Sequence, residues 1–249
     1  MSTAAGGWPQ RPRPPHLPEG EVHVWSIRVD LFASCLRALE RGLSAEELDR
    51  ARRFRFPIHR DRFIARRGLM RILLGHYLGV SYAEVLLRET ERGKPVLAEG
   101  QGGDDLRFNL SHSDGLALVA VARNREVGVD VERMRREVMD DHLPEHFFSA
   151  LEVEDLRALP EEHQLRAFFN CWTRKEAYIK AKGLGLHLPL DSFDVSLAPG
   201  EPAVLIGTRP DPGEASRWSM EALSPDPGYA AALVVESPCA QLHCWEWSG

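Results

Sequence analysis

A glutamate interrupts what otherwise reads as the buried stripe of a long helix. In FFNCWTRKEAYIKAKGLGL (168–186) and the residues just before it, Leu165, Phe168, Phe169, Trp172 and Ile179 fall on one face at 100° per residue. Glu176 projects from that same face, between Trp172 and Phe169. A carboxylate in such a place must be protonated, paired or bound to a cation, because an unpaired charge in apolar surroundings is strongly unfavourable. The helix must therefore pack its stripe against another element and still give Glu176 a partner.

A second pair of carboxylates supplies one solution. REVGVDVERM (125–134) alternates as a strand, so Val127, Val129 and Val131 point one way while Asp130 and Glu132 share the other face. A lone D-x-E is ordinarily a solvated strand face, but together with Glu176 it makes three oxygen donors, a set that suits Mg²⁺ completed by phosphate and water. Lys180, four residues after Glu176, reads either as an i,i+4 helix pair worth a few tenths of a kcal/mol or as a point charge for a phosphate. Lys175 lies at the edge of the stripe, and the glycines of KGLGL end the helix as C-caps do.

The order of elements predicts an α/β (α+β) fold of two similar, pseudo-twofold-related halves, each a small sheet packed with helices, with the site in the cleft between them. Residues 1–20 read as a disordered Pro/Gly-rich leader, 21–124 as the first half and 125–249 as the second. In the first, a strand at 21–29 precedes a capping-box helix opened by Ser44 and Glu47, a helix at about 60–79, and strands near 84–90, 106–110 and 116–122. In the second, a strand at 127–132 precedes helices near 144–158 and 162–182 and strands near 192–197, 203–207, 217–223, 229–236 and 242–247. The sequence shows no strict repeat, so the duplication rests on element order.

Several function classes are excluded or disfavoured. A formal net charge of -6 leaves no global field for nucleic acid. The longest apolar run, LALVAVA (116–122), is far short of the ~20 residues of a membrane helix. Four scattered cysteines suit a reducing cytoplasm rather than a disulfide scaffold, and CAQLHC (239–244) reads as a terminal strand rather than a zinc site. FNLSHSDG (108–115) lacks the G-x-S-x-G context of a nucleophile elbow, which disfavours a hydrolase. ERGKP (91–95) is a turn that presents Lys94.

Taken together, GKP, FNLSHS, GVDVE, WTRKEAYIKAKGLGL and DPGY, in that order and spacing, resemble the Sfp (surfactin) type 4′-phosphopantetheinyl transferases over roughly residues 21–236. The resemblance implies transfer of the phosphopantetheine arm of coenzyme A to a serine of an apo acyl or peptidyl carrier protein, with Mg²⁺ as cofactor, in a cytoplasmic monomer. It implies that Asp130, Glu132 and Glu176 hold the metal, and that Lys180 and His112 meet the pyrophosphate. Ser111 and Lys94, with Asn109 beside them among the coenzyme-binding residues, help to hold the 3′-phosphate of the nucleotide, and Arg50 binds that same phosphate. Glu176 is the expected general base, with a water held by Glu132 as the alternative. Glu47 stands where some relatives have a basic residue, a departure for which Arg62 or Arg67 is expected to compensate. The stretch MRREVMDD after Glu132 is expected near the carrier site. The other readings are a different Mg²⁺-dependent transferase with a nucleotide-linked donor, or a non-catalytic module binding coenzyme A or a carrier. An intact carboxylate triad speaks against the second.

Overall fold

The computed structural model describes residues 7–101, 103–138, 143–185, 188–209, 211–236 and 241–248. After β1 (Gln10–Arg11), the first half runs β2 (Glu21–Arg28), α1 (Leu36–Glu40), α2 (Ala45–Arg52), α3 (Pro57–Leu78), β3 (Leu87–Glu89), β4 (Pro95–Leu97), β5 (Leu106–Ser113) and β6 (Leu116–Arg123). The second runs β7 (Val127–Arg133), α4 (Leu143–Phe147), α5 (Ala150–Ala158), α6 (Glu161–Lys182), β8 (Phe193–Val195), β9 (Leu205–Thr208), β10 (Trp218–Leu223) and β11 (Tyr229–Glu236), followed by β12 (Gln241–Trp247).

The halves share one plan down to local chemistry. In each, the first strand pairs antiparallel with the last, which pairs antiparallel with the middle one: β2–β6–β5 and β7–β11–β10. Ser44 and Ser149 each cap a short helix in a complete capping box, with Glu47 and Glu152 at the third helical position. Each capped helix precedes one of 22 residues, α3 or α6, that ends on a left-handed glycine, Gly79 or Gly183.

Three apolar clusters hold the layers. Trp25, Ile27, Val119 and Val121 face Leu69, Met70, Leu73 and Leu74 of α3. Ala230, Ala232 and Val234 face Phe168, Tyr178 and Ile179 of α6. Between the sheets, Val22, Val24, Leu118 and Ala120 meet Val127, Val129, Val131 and Leu233, the strand alternation read from the sequence.

Two boundaries differ from the sequence expectation. The segment read as a disordered leader is docked from Trp8 onward: Trp8 and Leu17 are buried, and β1 pairs in parallel with β12. The Pro-rich composition masks these two apolar anchors, while the Pro9 and Leu17 carbonyls accept from Glu246 N–H and Arg123 Nε. Residues 1–6 lie outside the described residues. Second, β12 leaves the second half and lies between β1 and β2, completing a five-stranded sheet in the first. Its Trp245 packs on Trp25 with ring centroids 5.0 Å apart, giving the strand an aromatic reason to cross over. Cys244 and His243 lie in this strand, and Cys239 lies outside the described residues.

Lys175 is not at an edge. It is 1% exposed, pairs with Glu152 at 2.7 Å and donates to the carbonyls of Leu190 and Phe193, also at 2.7 Å. Helix α6 is covered on two sides, by the sheet and by α5 with the β8 segment, so a single stripe underestimates its burial. Arg174, 2% exposed, is likewise held within the fold by Ser196, through its carbonyl at 2.6 Å and its hydroxyl at 3.0 Å.

Glu152→Ala should leave Lys175 as an uncompensated buried cation, at a cost of about 3–5 kcal/mol, and lower the melting temperature by on the order of 10 °C. A melt within about 2 °C of wild type would show that the pair is not needed. His23, fully buried with Nδ1 2.7 Å from the Tyr77 hydroxyl, has its imidazole pushed down by burial to about 4. Its folded pKa lies below the unfolded value, so the unfolded chain binds the proton first and stability is lost as pH falls from about 6.5 towards 4. Denaturant titrations across that window should show a loss on the order of 3 kcal/mol that His23→Gln removes.

Candidate active site at the seam between the halves

The edge strand β5 of one sheet runs beside the edge strand β7 of the other without a backbone ladder. Side chains take its place. Val129 N–H donates to Asn109 Oδ1 at 2.9 Å, Val131 N–H to Ser111 Oγ at 3.4 Å, and Arg133 N–H to Ser113 Oγ at 3.1 Å. These three acceptors alternate along one face of β5, as strand geometry requires. The two hydroxyls then donate onward at 2.7 Å, Ser111 to Asp130 Oδ1 and Ser113 to Glu132 Oε2. The seam that joins the halves thus also orients the D-x-E carboxylates.

Gly128 lets the third carboxylate approach. A Cβ there would lie 2.1 Å from the Ala177 carbonyl oxygen and 2.4 Å from Ala181 N, so only glycine allows α6 to pack this closely on β7. At that spacing Lys180 Nζ reaches Asp130 Oδ1 at 2.6 Å and Ser111 Oγ at 3.0 Å. The i,i+4 reading of Lys180 therefore gives way to an ion pair from helix α6 to strand β7, and Glu176 stays half-buried with no hydrogen-bond partner among the described residues. Asp130, Glu132, Glu176, Lys180, Ser111, His112 and Trp172 share one cavity of about 310 Å³.

The electrostatics are those of a cation-hungry pocket. Burial, then the Asp130 charge, pushes the Glu176 carboxyl up; Lys180 opposes this. Burial also raises Glu132, with the Ser113 hydroxyl opposing it and Asp130 and Glu176 adding to it. Asp130 Oδ2 is buried without a hydrogen bond. Among the described residues no three His, Cys, Asp or Glu side chains are already gathered as a metal cage, since Lys180 and the serines hold Asp130 and Glu132. The donor set nonetheless fits a hard divalent cation: it is all carboxylate, it shares one cavity, and it has an orphaned buried oxygen.

Two further cavities adjoin this one. The first, about 270 Å³, shares Leu110, Glu176 and Lys180 with it and is bounded by Arg92, Gly93, Lys94 and Pro95. The second, about 260 Å³, shares Glu132 and Trp172, has a floor of Leu143, Phe168 and Phe169 and is rimmed by Arg133 and Arg135. The MRREVMDD stretch leaves the latter rim, and its residues 139–141 lie outside the described residues.

The remaining sequence candidates divide. Lys94 lies beside the first adjoining cavity and is paired with Glu126 at 3.4 Å. Asn109 Oδ1 and the Ser111 hydroxyl are engaged within the seam. His112 lines the carboxylate cavity, where desolvation followed by the charges of Arg66, Lys180 and Arg50 pushes its imidazole down to about 4. Arg50 lies over the Phe63 ring and reaches Glu89 at 3.7 Å.

Glu47 is a buried anchor, closing its capping box and pairing with Arg67 at 3.0 Å and Arg71 at 2.8 Å. Neither Arg62 nor Arg67 compensates for it: Arg62 is bound bidentately to Asp30 at 2.8 and 2.7 Å, and Arg67 is Glu47's own counter-ion. Arg66, Lys180 and Arg50 are the cations whose charges act on His112, and the sequence does not single out Arg66, because in a run of arginines only the fold shows which one lacks a carboxylate. Glu47→Lys should therefore destabilise the chain by about 3–5 kcal/mol, by setting a third cation against Arg67 and Arg71. An unchanged denaturation midpoint would overturn this structural assignment.

Comparison with known proteins agrees with this geometry. Residues 126–234 match the 4′-phosphopantetheinyl transferase superfamily, and residues 25–124 match the N-terminal region of 4′-phosphopantetheinyl transferases. The chain is 42% identical over 238 residues to the 4′-phosphopantetheinyl transferase HetI of Nostoc sp., covering 95% of this chain and 97% of that one. It is 35% identical to psf-1 of Bacillus pumilus, over 84% of this chain and 85% of that one, and 30% identical to Sfp of Bacillus subtilis, over 80% and 90%. The seam, its carboxylates and these similarities over nearly the whole length lead to one conclusion: the chain belongs to the 4′-phosphopantetheinyl transferase superfamily.

Proposed function

We propose that this phosphopantetheinyl transferase is of the Sfp type: it moves the 4′-phosphopantetheine arm of coenzyme A onto a serine of an apo acyl or peptidyl carrier protein and releases 3′,5′-adenosine bisphosphate. The observation that carries this reading is the row of three adjoining cavities. One lies against the GKP turn and Lys94, the middle one carries three carboxylates and Lys180, and the last has an aromatic floor and an arginine rim. A donor made of a nucleotide, a pyrophosphate and a long thin arm has its chemical groups in the same order.

Asp130, Glu132 and Glu176 would hold Mg²⁺ in this reading. When bound, that ion would neutralise charge on the pyrophosphate as the bond from the β-phosphorus to the bridging oxygen breaks. Lys180 moves from Asp130 to a phosphate oxygen and adds a positive charge where negative charge develops. The carrier serine oxygen forms a bond to the β-phosphorus, the bridging oxygen leaves with the adenosine bisphosphate, and the serine proton passes to a base. Glu176 suits that role, because burial raises its carboxyl above its ordinary value and no hydrogen bond among the described residues occupies it. Water held by Glu132 is the weaker candidate, because that carboxylate already accepts from Ser113.

The first half supplies the nucleotide side and the second the carboxylate side, so one chain contains the whole site and a monomer suffices. Free thiols at Cys35, Cys171 and Cys244, and the lack among the described residues of a helix long and apolar enough to cross a membrane, support a cytoplasmic location.

Incubation with coenzyme A, Mg²⁺ and a panel of apo carrier proteins, read by intact mass, should show addition of one phosphopantetheine; no addition on any carrier would sink the reading. Asp130→Ala should lose at least a hundredfold in turnover while keeping its fold. Glu176→Gln should lose on the order of 10²–10⁴-fold. The raised Glu176 carboxyl carries a matching stability signature: its contribution is present below its ordinary pKa and lost as pH rises through the raised folded value. Without metal, Glu176→Gln should therefore melt at or above wild type at pH 7–8, and a lower melting temperature would contradict the repulsion between Glu176 and Asp130.

A further inference from the structure

Two lysines line the cavity beside the GKP turn, and each is already held by a carboxylate. Lys180 sits on Asp130 Oδ1 at 2.6 Å. Lys94, whose side chain is 14% exposed, sits on Glu126 Oε2 at 3.4 Å. Glu126 immediately precedes β7, and its carbonyl accepts from Glu236 N–H at 3.0 Å, so the ladder to β11 extends through it. Alternate residues of a strand share a face, which puts Glu126 on the side that carries Asp130 and Glu132. The GVDVE motif begins two residues too late to include it.

Glu126 keeps a partner when its lysine departs. Its Oε1 accepts from Arg107 Nε at 3.1 Å, and Arg107 is anchored in turn to the Asp104 carbonyl at 2.6 Å. Releasing Lys94 therefore strands no carboxylate. Lys94 borders two cavities, the one of about 270 Å³ and another of about 480 Å³, whereas Glu126 and Arg107 border the larger alone. We infer that Glu126 is a competing counter-ion for Lys94: it holds the ammonium back until a phosphate oxygen of coenzyme A displaces it, and so weakens the binding of substrate and nucleotide product alike. This inference rests on the coenzyme A reading of the site, in which Lys94 serves the nucleotide end. Glu126 is a positioning residue that acts through Lys94 and touches no reacting atom. Burial pushes the Lys94 ammonium down from its ordinary value and Glu126 opposes this, so the pair keeps the charge available without leaving a bare cation in a partly dry place.

A mutant cycle separates competition from a structural role, because 3′,5′-adenosine bisphosphate carries the same nucleotide end as coenzyme A. Titration calorimetry of the full chain with Mg²⁺ should show Glu126→Gln binding both ligands about fivefold tighter than wild type. Lys94→Ala should weaken both, and adding Glu126→Gln to Lys94→Ala should change neither affinity by more than about twofold, since the competitor then has nothing to hold. In turnover, Glu126→Gln should lower KM for coenzyme A without raising kcat. If Glu126→Gln leaves binding unchanged or weakens it, if Lys94→Ala binds as wild type does, or if the gain persists in the Lys94→Ala background, Glu126 does not compete for Lys94 and the transferase reading stands untouched. If wild type binds neither ligand, the coenzyme A reading itself falls and takes this inference with it.

Discussion

The structure turns on a strip of side-chain hydrogen bonds where a backbone ladder would be expected. Asn109, Ser111 and Ser113 of β5 accept the N–H groups of Val129, Val131 and Arg133 of β7, and so bridge the facing edges of two sheets that share no backbone ladder. A backbone ladder would have set the strands at fixed spacing and left no polar side chains between them. Pairing through side chains opens a gap, satisfies the edge of each sheet, and aims two hydroxyls at two carboxylates. Cohesion of the halves and orientation of the site are therefore one interaction, which is why small polar residues occupy a strand that also contributes Leu106 and Phe108 to the apolar core.

Above this seam each half repeats one electrostatic device. A capping-box glutamate on a short helix reaches a cation on the following long helix: Glu47 to Arg71 in the first half, Glu152 to Lys175 in the second. Counted back from the capping glycines, Arg71 and Lys175 occupy equivalent positions of α3 and α6. The residues equivalent to Glu176 and Lys180 are Ile72 and His76, so the first half retains the frame without the charged pair that faces the carboxylates. Buried pairs of this kind contribute little net stability over an apolar alternative, but removing one partner is severe. They fix how the long helices sit, and α6 in turn fixes where Glu176 and Lys180 emerge.

Much of this was legible in the sequence. The alternation of GVDVE separates core valines from Asp130 and Glu132, capping boxes mark helix starts, and Glu176, the anomaly of its helix, lines one cavity with both carboxylates. Three things were not legible. Periodicity assumes one buried face, so it placed Lys175 at a margin when α6 is enclosed on two sides. Composition averages over residues, so a Pro-rich beginning concealed the anchors Trp8 and Leu17. Charge counting treats arginines alike, whereas Arg62, Arg66 and Arg67 differ only in which carboxylates the fold brings to them. Partner choice is a three-dimensional property, and the sequence motif recorded only the residues facing the seam.

The crossover of β12 has a consequence for how the protein comes into being. Its strand inserts between β1 and β2, and Trp245 and Trp247 close over Trp25. During vectorial synthesis the first half emerges early, yet one edge of its sheet stays open until β12, which follows the whole second half, has been made. That edge includes Val22, Val24 and Trp25, a sticky template for another nascent chain. The two halves, alike as they are, therefore mature together: a strand that follows the second half is the one that seals the sheet of the first.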